Sequence, residues 1–191
     1  MGVNRVSTRV LLSCAAIGVG GGLVAAGSGY FAGLIAAIAP MLYGITIGAH
    51  FLPSVVALAL LRRPGVALLT GVIAGLVGAA FAPMWLGRYV GTGLLVGALI
   101  ELPFLISRYR RWSPWLFYVS AAVAGVILAG GVFIALGAEH YSAPVWLAYI
   151  ALFVASPLVF TWIGRVIARA LERTGVARQL SSSTAGARKR L

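Results

Sequence analysis

The sequence predicts an all-α integral membrane protein with six transmembrane helices. Its mean hydropathy is +1.03, and of its 191 residues 61% are hydrophobic and only 9% are charged. A soluble domain of this length could not hide so much apolar surface. The 25 glycines fit the same class, because helices in lipid associate through close contact between small residues.

Six apolar stretches are long enough to cross a bilayer core of about 30 Å. We expect them near residues 10–28, 40–61, 64–82, 89–108, 114–137 and 145–171, in a single membrane domain of residues 1–180. Pro53 should bend the second span because proline lacks an N–H group. The glycine-rich stretch 29–39 is expected to be a link that folds back at the membrane surface, and 181–191 a disordered basic cytoplasmic tail.

The distribution of positive charge predicts the orientation of these spans. The chain has fifteen Lys and Arg residues but only three acidic residues, Glu101, Glu139 and Glu172. With six spans and a cytoplasmic N-terminus, 14 of the 15 basic residues lie on the cytoplasmic side and only Arg88 lies outside. Cytoplasmic loops of membrane proteins are enriched in Lys and Arg. We therefore expect both termini in the cytoplasm.

Glu101 is the acid in the middle of an otherwise apolar stretch that runs from Tyr89 to Trp112. Counted from Tyr89, it lies roughly 18 Å deep, near or somewhat past the bilayer midplane. An unpaired carboxylate there costs on the order of 3 kcal/mol or more. Glu101 is thus either a structural acid, protonated, bonded to a neighbouring helix or close to Arg108, or part of a ligand site.

Further candidate ligand-binding residues are expected at the external end of the predicted bundle, apart from His50, which lies inside the second span. Aromatic rings stack on flat heterocycles, and acids or imidazoles bond their amines and ring nitrogens. Each residue also has an ordinary alternative: the interfacial aromatic belt, a solvated loop or, for the histidine inside the second span, a bond to a neighbouring helix. The candidates are Tyr30, His50, Trp85, Tyr89, Glu139, His140, Tyr141, Trp146 and Tyr149.

The first span is crowded with small residues. Ala16 and Gly20 lie on one helical face, and Gly18 and Gly22 on the adjoining face. Small residues at a spacing of four allow the close approach of another helix. That helix belongs either to this chain or to a partner protein.

The sequence lacks the motifs that are typical of several function classes. There is no phosphate-binding GxxxxGK[ST] loop for ATP hydrolysis and no metal-binding HExxH or paired-cysteine motif. The one cysteine, Cys14, lies in the first apolar stretch, where a packing role is expected. We therefore expect no catalytic residues, no metal site and no cofactor, and a single intramembrane Glu gives little basis for a channel filter.

Three stretches resemble a known transporter family. They are Phe51–Gly65 (FLPSVVALALLRRPG), Gly93–Arg108 (GLLVGALIELPFLISR) and Ala170–Val176 (ALERTGV). They resemble the substrate-binding (S) components of energy-coupling-factor (ECF) vitamin transporters, and the thiamine-related YkoE type in particular. Val96 stands where that group usually has glutamine, and His50 where it has an aromatic residue.

The resemblance implies a function and partners. It implies a six-helix S component of an ECF-type ABC importer in the cell membrane, which captures thiamine or its hydroxymethylpyrimidine precursor outside the cell. A transmembrane coupling subunit and two ATPase subunits would drive uptake, and the small residues of the first helix would dock the coupling subunit. Glu101 would match the family's glutamate. The alternative from another class is a structural or regulatory membrane subunit without a small-molecule site.

Overall fold

The computed structural model describes residues 8–136 and 142–174, and its regular structure there is entirely helical. The α-helices are α1 (Thr8–Ile38), α2 (Gly44–Ile47), α3 (Leu52–Leu61), α4 (Val66–Phe81), α5 (Leu86–Ile106), α6 (Pro114–Leu136) and α7 (Ala143–Arg173). Short 3₁₀ turns cover Pro40–Leu42, Gly48–Phe51 and Pro83–Trp85. The all-helical membrane class predicted from the sequence is confirmed.

Within the described residues, five segments are long and apolar enough to cross a membrane: Thr8–Ile38, Pro40–Leu61, Pro83–Ile106, Pro114–Ala135 and Ala143–Arg173. The sixth, α4, is a shorter apolar helix. Its 16 residues span about 24 Å at ~1.5 Å per residue. One face of α4 packs against α1, α3 and α5, and its other face exposes apolar side chains such as Leu76 and Phe81.

The expected link over residues 29–39 is wrong. Helix α1 continues without a break to Ile38, and Ala39 still donates its N–H to the carbonyl of Ile35 (2.8 Å). In an apolar surrounding a backbone that leaves the helix loses hydrogen bonds that water cannot replace. That penalty outweighs the weak helix preference of Gly29 and Gly33.

The second membrane segment is not one regular α-helix, and its irregular part precedes Pro53. A 3₁₀ turn covers Gly48–Phe51, and Pro53 lies in the first turn of α3. Proline is tolerated there because the first N–H groups of a helix have no partner within it. The turn packs against α7, and the N–H of Gly48 donates to the Ser156 hydroxyl (3.1 Å).

Glycines bring α4 and α5 into backbone contact. A Cβ atom added at Gly71 would collide with the carbonyl oxygen of Gly93, and one added at Gly93 with that of Gly71. One turn further along, a Cβ at Gly97 would lie 2.8 Å from the carbonyl oxygen of Ala67. Such close approach is how helices gain packing energy in lipid. This contact fixes the middle of α5 relative to α4.

Candidate functional site

Glu101 caps the N-terminus of α4. Its side chain is 6% exposed, and one carboxylate oxygen accepts the N–H of Gly65 while the other accepts the N–H of Leu68 (3.2 Å). The first N–H groups of a helix lack internal partners and carry partial positive charge, so a carboxylate is stabilised there. Because Gly65 adopts φ +82°, its N–H can point back to Glu101 from the turn between α3 and α4.

Tyr109 completes the surroundings of this carboxylate. Its hydroxyl donates to Oε1 of Glu101 (2.6 Å), and the left-handed conformations of Arg108 and Tyr109 (φ 49° and 56°) turn the chain back after α5 ends at Ile106. Burial and the bond to Glu101 raise the pKa of the Tyr109 phenol. Three donors thus hold the acid, in the arrangement of a helix-bracing group.

We call this the arginine-rich end of the molecule, because Arg62, Arg108 and Arg165 lie there. Glu101 is five residues from the end of α5, about 8 Å at ~1.5 Å per residue. It is therefore closer to this end than the count from Tyr89 suggested, because the segment carrying α5 already begins at Pro83.

The other end of α5 borders a cavity of about 740 Å³; we call it the aromatic end. Among the candidates predicted from the sequence, Tyr30, Trp85 and Tyr89 line this cavity. Tyr30 and Trp85 are 67% and 51% exposed, so they form an open rim, whereas Tyr89 is buried. The remaining walls are Gly29, Gly33, Leu34, Phe81, Ala82, Pro83, Met84 and Arg88. The volume falls in the range of small-molecule sites.

Arg88 is the charged residue among the side chains that line this cavity. Its guanidinium lies 5.1 Å from the ring centroid of Trp85 and 5.7 Å from that of Tyr89, within the range of cation–π attraction. The rings hold the guanidinium at the wall, and its N–H groups can bond an acceptor. The cavity therefore combines flat rings with one positive donor group.

Tyr89 is held in place by glycines on two helices. Its hydroxyl lies where a Cβ at Gly29 of α1 would be, and its ring lies 2.6 Å from the position of a Cβ at Gly78 of α4. Only glycine at these positions leaves room for the ring. Gly29 and Gly78 thus make room for Tyr89 in this wall of the cavity.

His50 lies behind this wall. Its ring stacks on that of Tyr89 (centroids 6.1 Å apart), and both border a separate cavity of about 10 Å³. A cavity of that size holds about one water molecule. His50 therefore contacts the large cavity through Tyr89 in this structure, and a direct role in ligand binding stays a prediction.

Trp146 and Tyr149 lie on α7 and both contact the ring of Phe133 edge-on. Tyr149 is 1% exposed, and its hydroxyl donates to the carbonyl of Ala129 (2.8 Å). These contacts place Tyr149 in an aromatic core cluster between α6 and α7, whereas Trp146 is partly exposed. The structure does not bring either residue to the wall of the 740 Å³ cavity.

Three further candidates, Glu139, His140 and Tyr141, lie outside the described residues. So do the predicted tail over 181–191 and the last residues of the ALERTGV stretch. Among the described residues, no group of three or more His, Cys, Asp or Glu side chains could hold a metal ion.

The small residues of α1 divide between two faces. Added Cβ atoms at Gly18 and Gly22 would collide with Ile73 and Val77, so these glycines pack on α4. Ala16 and Gly20 are exposed, and a Cβ at Gly20 would meet nothing within 4 Å. Packing within this chain therefore explains the face with Gly18 and Gly22. The face with Ala16 and Gly20 remains exposed and is available for a partner.

Two residues of the site, Arg88 and Tyr109, were not among the predicted site residues. Arg88 follows Trp85 by three positions, a helical spacing that puts the cation beside the ring of Trp85. The sequence therefore contained this signal, but Arg88 was interpreted only as the single arginine on the external side of the membrane. Tyr109 carried no signal, because its contact with Glu101 depends on a left-handed turn at non-glycine residues.

The fold has a close match among solved structures. The crystal structure of an S-component of an ECF transporter superposes with a TM-score of 0.82 at 22% sequence identity, covering 97% of this chain and 96% of that one. No curated protein matches the sequence. The architecture is that of a multi-pass membrane protein with the S-component fold.

A family match covers more than half of the chain. Residues 9–127 match the family described as "ABC-type cobalt transport system, permease component". The chain belongs to this family of membrane transport proteins. These comparisons support the resemblance at the level of the S-component fold and of a transport family. They do not specify the thiamine type.

Proposed function

We propose that this protein is the membrane substrate-binding subunit of an ECF-type ABC importer and that it binds a small aromatic solute at its aromatic end. The observation that carries the proposal is the 740 Å³ cavity with Trp85, Tyr89 and Arg88 in its wall. Aromatic walls with a few placed polar groups are typical of sites for flat organic ligands. ATP hydrolysis would reside in partner subunits.

Arg88 favours one of the two solutes that the resemblance implies. Thiamine carries a fixed positive charge on its thiazolium ring, whereas hydroxymethylpyrimidine is neutral and has ring nitrogens that accept hydrogen bonds. A cation near Arg88 is repelled, and a neutral acceptor is not. We therefore propose hydroxymethylpyrimidine as the preferred solute and thiamine as the weaker one.

The proposed partners are a transmembrane coupling subunit and two ATPase subunits. The exposed face of α1 with Ala16 and Gly20 suits a helix of the coupling subunit, since small residues allow close contact in lipid. The proposed orientation has both termini in the cytoplasm and the aromatic end outside. It follows from the positive charge of the arginine-rich end.

A second candidate solute comes from the family description, which names cobalt transport. Divalent cobalt prefers imidazole and carboxylate ligands, and the described residues contain no group of three such side chains. Arg88 would also repel a cation in the large cavity. The organic solute is therefore the first proposal, and cobalt is an arm of its test.

The test starts with the purified full-length protein in detergent and mass spectrometry of any small molecule that accompanies it. Hydroxymethylpyrimidine, thiamine and Co²⁺ are then titrated by isothermal calorimetry. We expect hydroxymethylpyrimidine to bind and Trp85→Ala to weaken it about tenfold, because stacking on one ring contributes ~1–2 kcal/mol. Trp115→Ala is the matched control, since Trp115 is an exposed tryptophan (58%) at the arginine-rich end.

Each other outcome selects a different function. Binding of Co²⁺ alone would replace the organic solute with a metal cargo. Binding of an organic solute that Trp85→Ala leaves unchanged would move the site away from this cavity. No copurified molecule and no binding across a wider vitamin panel would favour a structural or regulatory subunit.

A further inference from the structure

A second cavity, of about 210 Å³, lies at the arginine-rich end between α3, α6 and α7. Its lining includes Arg62, Arg165, Arg169, Glu172, Trp112 and Phe117. Three guanidinium groups therefore share the cleft with one carboxylate. The volume suits a small polar group rather than a protein segment.

The arginines are held in position by the protein around them. The guanidinium of Arg165 lies 5.8 Å from the ring centroid of Phe117 and 5.3 Å from that of Tyr118. Arg169 donates its Nε–H to the carbonyl of Arg165 (3.3 Å), and Arg62 pairs with Glu172 (3.6 Å). Helix α6 also begins at the cleft, at Pro114, and adds the partial positive charge of a helix N-terminus.

The cleft lies at the depth of lipid headgroups. Arg165 follows the start of α7 at Ala143 by 22 residues, or about 33 Å at ~1.5 Å per residue. The hydrocarbon core is about 30 Å thick, so Arg165 lies just beyond it. Trp112 at the cleft fits the same level, because tryptophan concentrates at the membrane interface.

We propose that this cleft binds the phosphate group of an anionic phospholipid. Guanidinium groups bond phosphate oxygens with several N–H donors in a fixed geometry, and basic pockets between membrane helices bind anionic headgroups. Glu172 opposes the ligand and keeps Arg62 engaged in its absence. This proposal does not depend on the solute at the other end.

The test uses the delipidated full-length protein in detergent and native mass spectrometry. Equal amounts of phosphatidylglycerol and phosphatidylcholine are added, and the bound lipid is identified. We expect a preference for phosphatidylglycerol that Arg165→Gln with Arg169→Gln reduces roughly tenfold or more, since each variant residue loses a charge-assisted hydrogen bond to the phosphate. Arg110→Gln with Arg111→Gln removes the same charge from exposed loop positions and should leave the preference unchanged.

Glu172→Gln is a control for misfolding, because a misfolded protein would lose the preference for phosphatidylglycerol rather than gain it. Removing the opposing carboxylate frees Arg62 and should raise the phosphatidylglycerol preference severalfold. Competition by millimolar inorganic phosphate without any lipid preference would assign the cleft to free phosphate instead. An equal loss in both double variants, or no preference in the wild type, would overturn the proposal.

Discussion

The two ends of α5 use polar groups in opposite ways. At the arginine-rich end Glu101 is enclosed and engaged by Gly65, Leu68 and Tyr109. At the aromatic end the guanidinium of Arg88 lies in the wall of an open cavity, against two rings. A charged group whose bonds are taken up by its own protein stabilises the fold, whereas one with unused donors beside a cavity can bind a ligand. The depth of a charge in the membrane does not distinguish the two.

The largest expected effect concerns the enclosed end. Glu101→Ala removes the acceptor of two backbone N–H groups and the Tyr109 hydroxyl, and should lower the free energy of unfolding by about 2–4 kcal/mol. Thermal unfolding in detergent measures this loss. Glu101→Gln keeps one acceptor oxygen and should lose about half as much. Normal stability of Glu101→Ala combined with loss of solute binding would instead support the ligand role.

The next effect concerns the wall of the cavity. Gly29→Ala places a methyl group where the Tyr89 hydroxyl lies, and we expect a loss of about 1–3 kcal/mol from overpacking. Gly27→Ala is the matched control on the same helix, because a Cβ there meets nothing within 4 Å. Solute affinity should fall in Gly29→Ala as Tyr89 moves. Equal unfolding temperatures of the two variants would show that Tyr89 has room elsewhere.

The sequence predicted most of the fold but less of the site. Hydropathy and charge define the membrane helices, because each span must satisfy its backbone internally and avoid charge in lipid. The same rule explains why the predicted link at 29–39 was wrong. In lipid, glycine content does not indicate where a helix ends, because leaving the helix costs backbone hydrogen bonds. Trp85 and Tyr89 at the cavity were predictable from their place at a span end.

The positions that could not be predicted depend on contacts between distant parts of the chain. Glu101 could be identified as a residue in need of partners, but its partners lie 33 and 36 positions away and on a turn with unusual backbone angles. Tyr149 shows the converse case. Its sequence neighbourhood resembles the interfacial aromatic residues, yet packing against Phe153 and Phe133 encloses it.

A smaller effect tests the charge of the cavity. Arg88→Gln removes the positive group while leaving a hydrogen-bonding side chain, and should improve thiamine binding relative to hydroxymethylpyrimidine about fivefold, or ~1 kcal/mol. Calorimetric titration of both compounds measures the ratio. Arg88→Lys keeps the charge and should keep the wild-type preference. An unchanged ratio in Arg88→Gln would mean that Arg88 does not face the solute.

The smallest effect is specific to the Tyr109 hydroxyl. Tyr109→Phe removes one of the three bonds to Glu101 and should cost about 1 kcal/mol at neutral pH. Because the pKa of this phenol in the folded protein is raised above the ordinary value of 10.0 by burial and by Glu101, the folded state holds the proton more tightly than the unfolded state.

The contribution of the Tyr109 hydroxyl to the free energy of unfolding is complete below pH 10 and is lost as the pH rises toward the folded-state pKa. Unfolding curves at increasing pH should therefore converge for wild type and Tyr109→Phe in the alkaline range, while Tyr30→Phe, at an exposed residue of the other end, should follow the wild type throughout. A constant difference between wild type and Tyr109→Phe at every pH would contradict the role of this proton and leave only a packing effect.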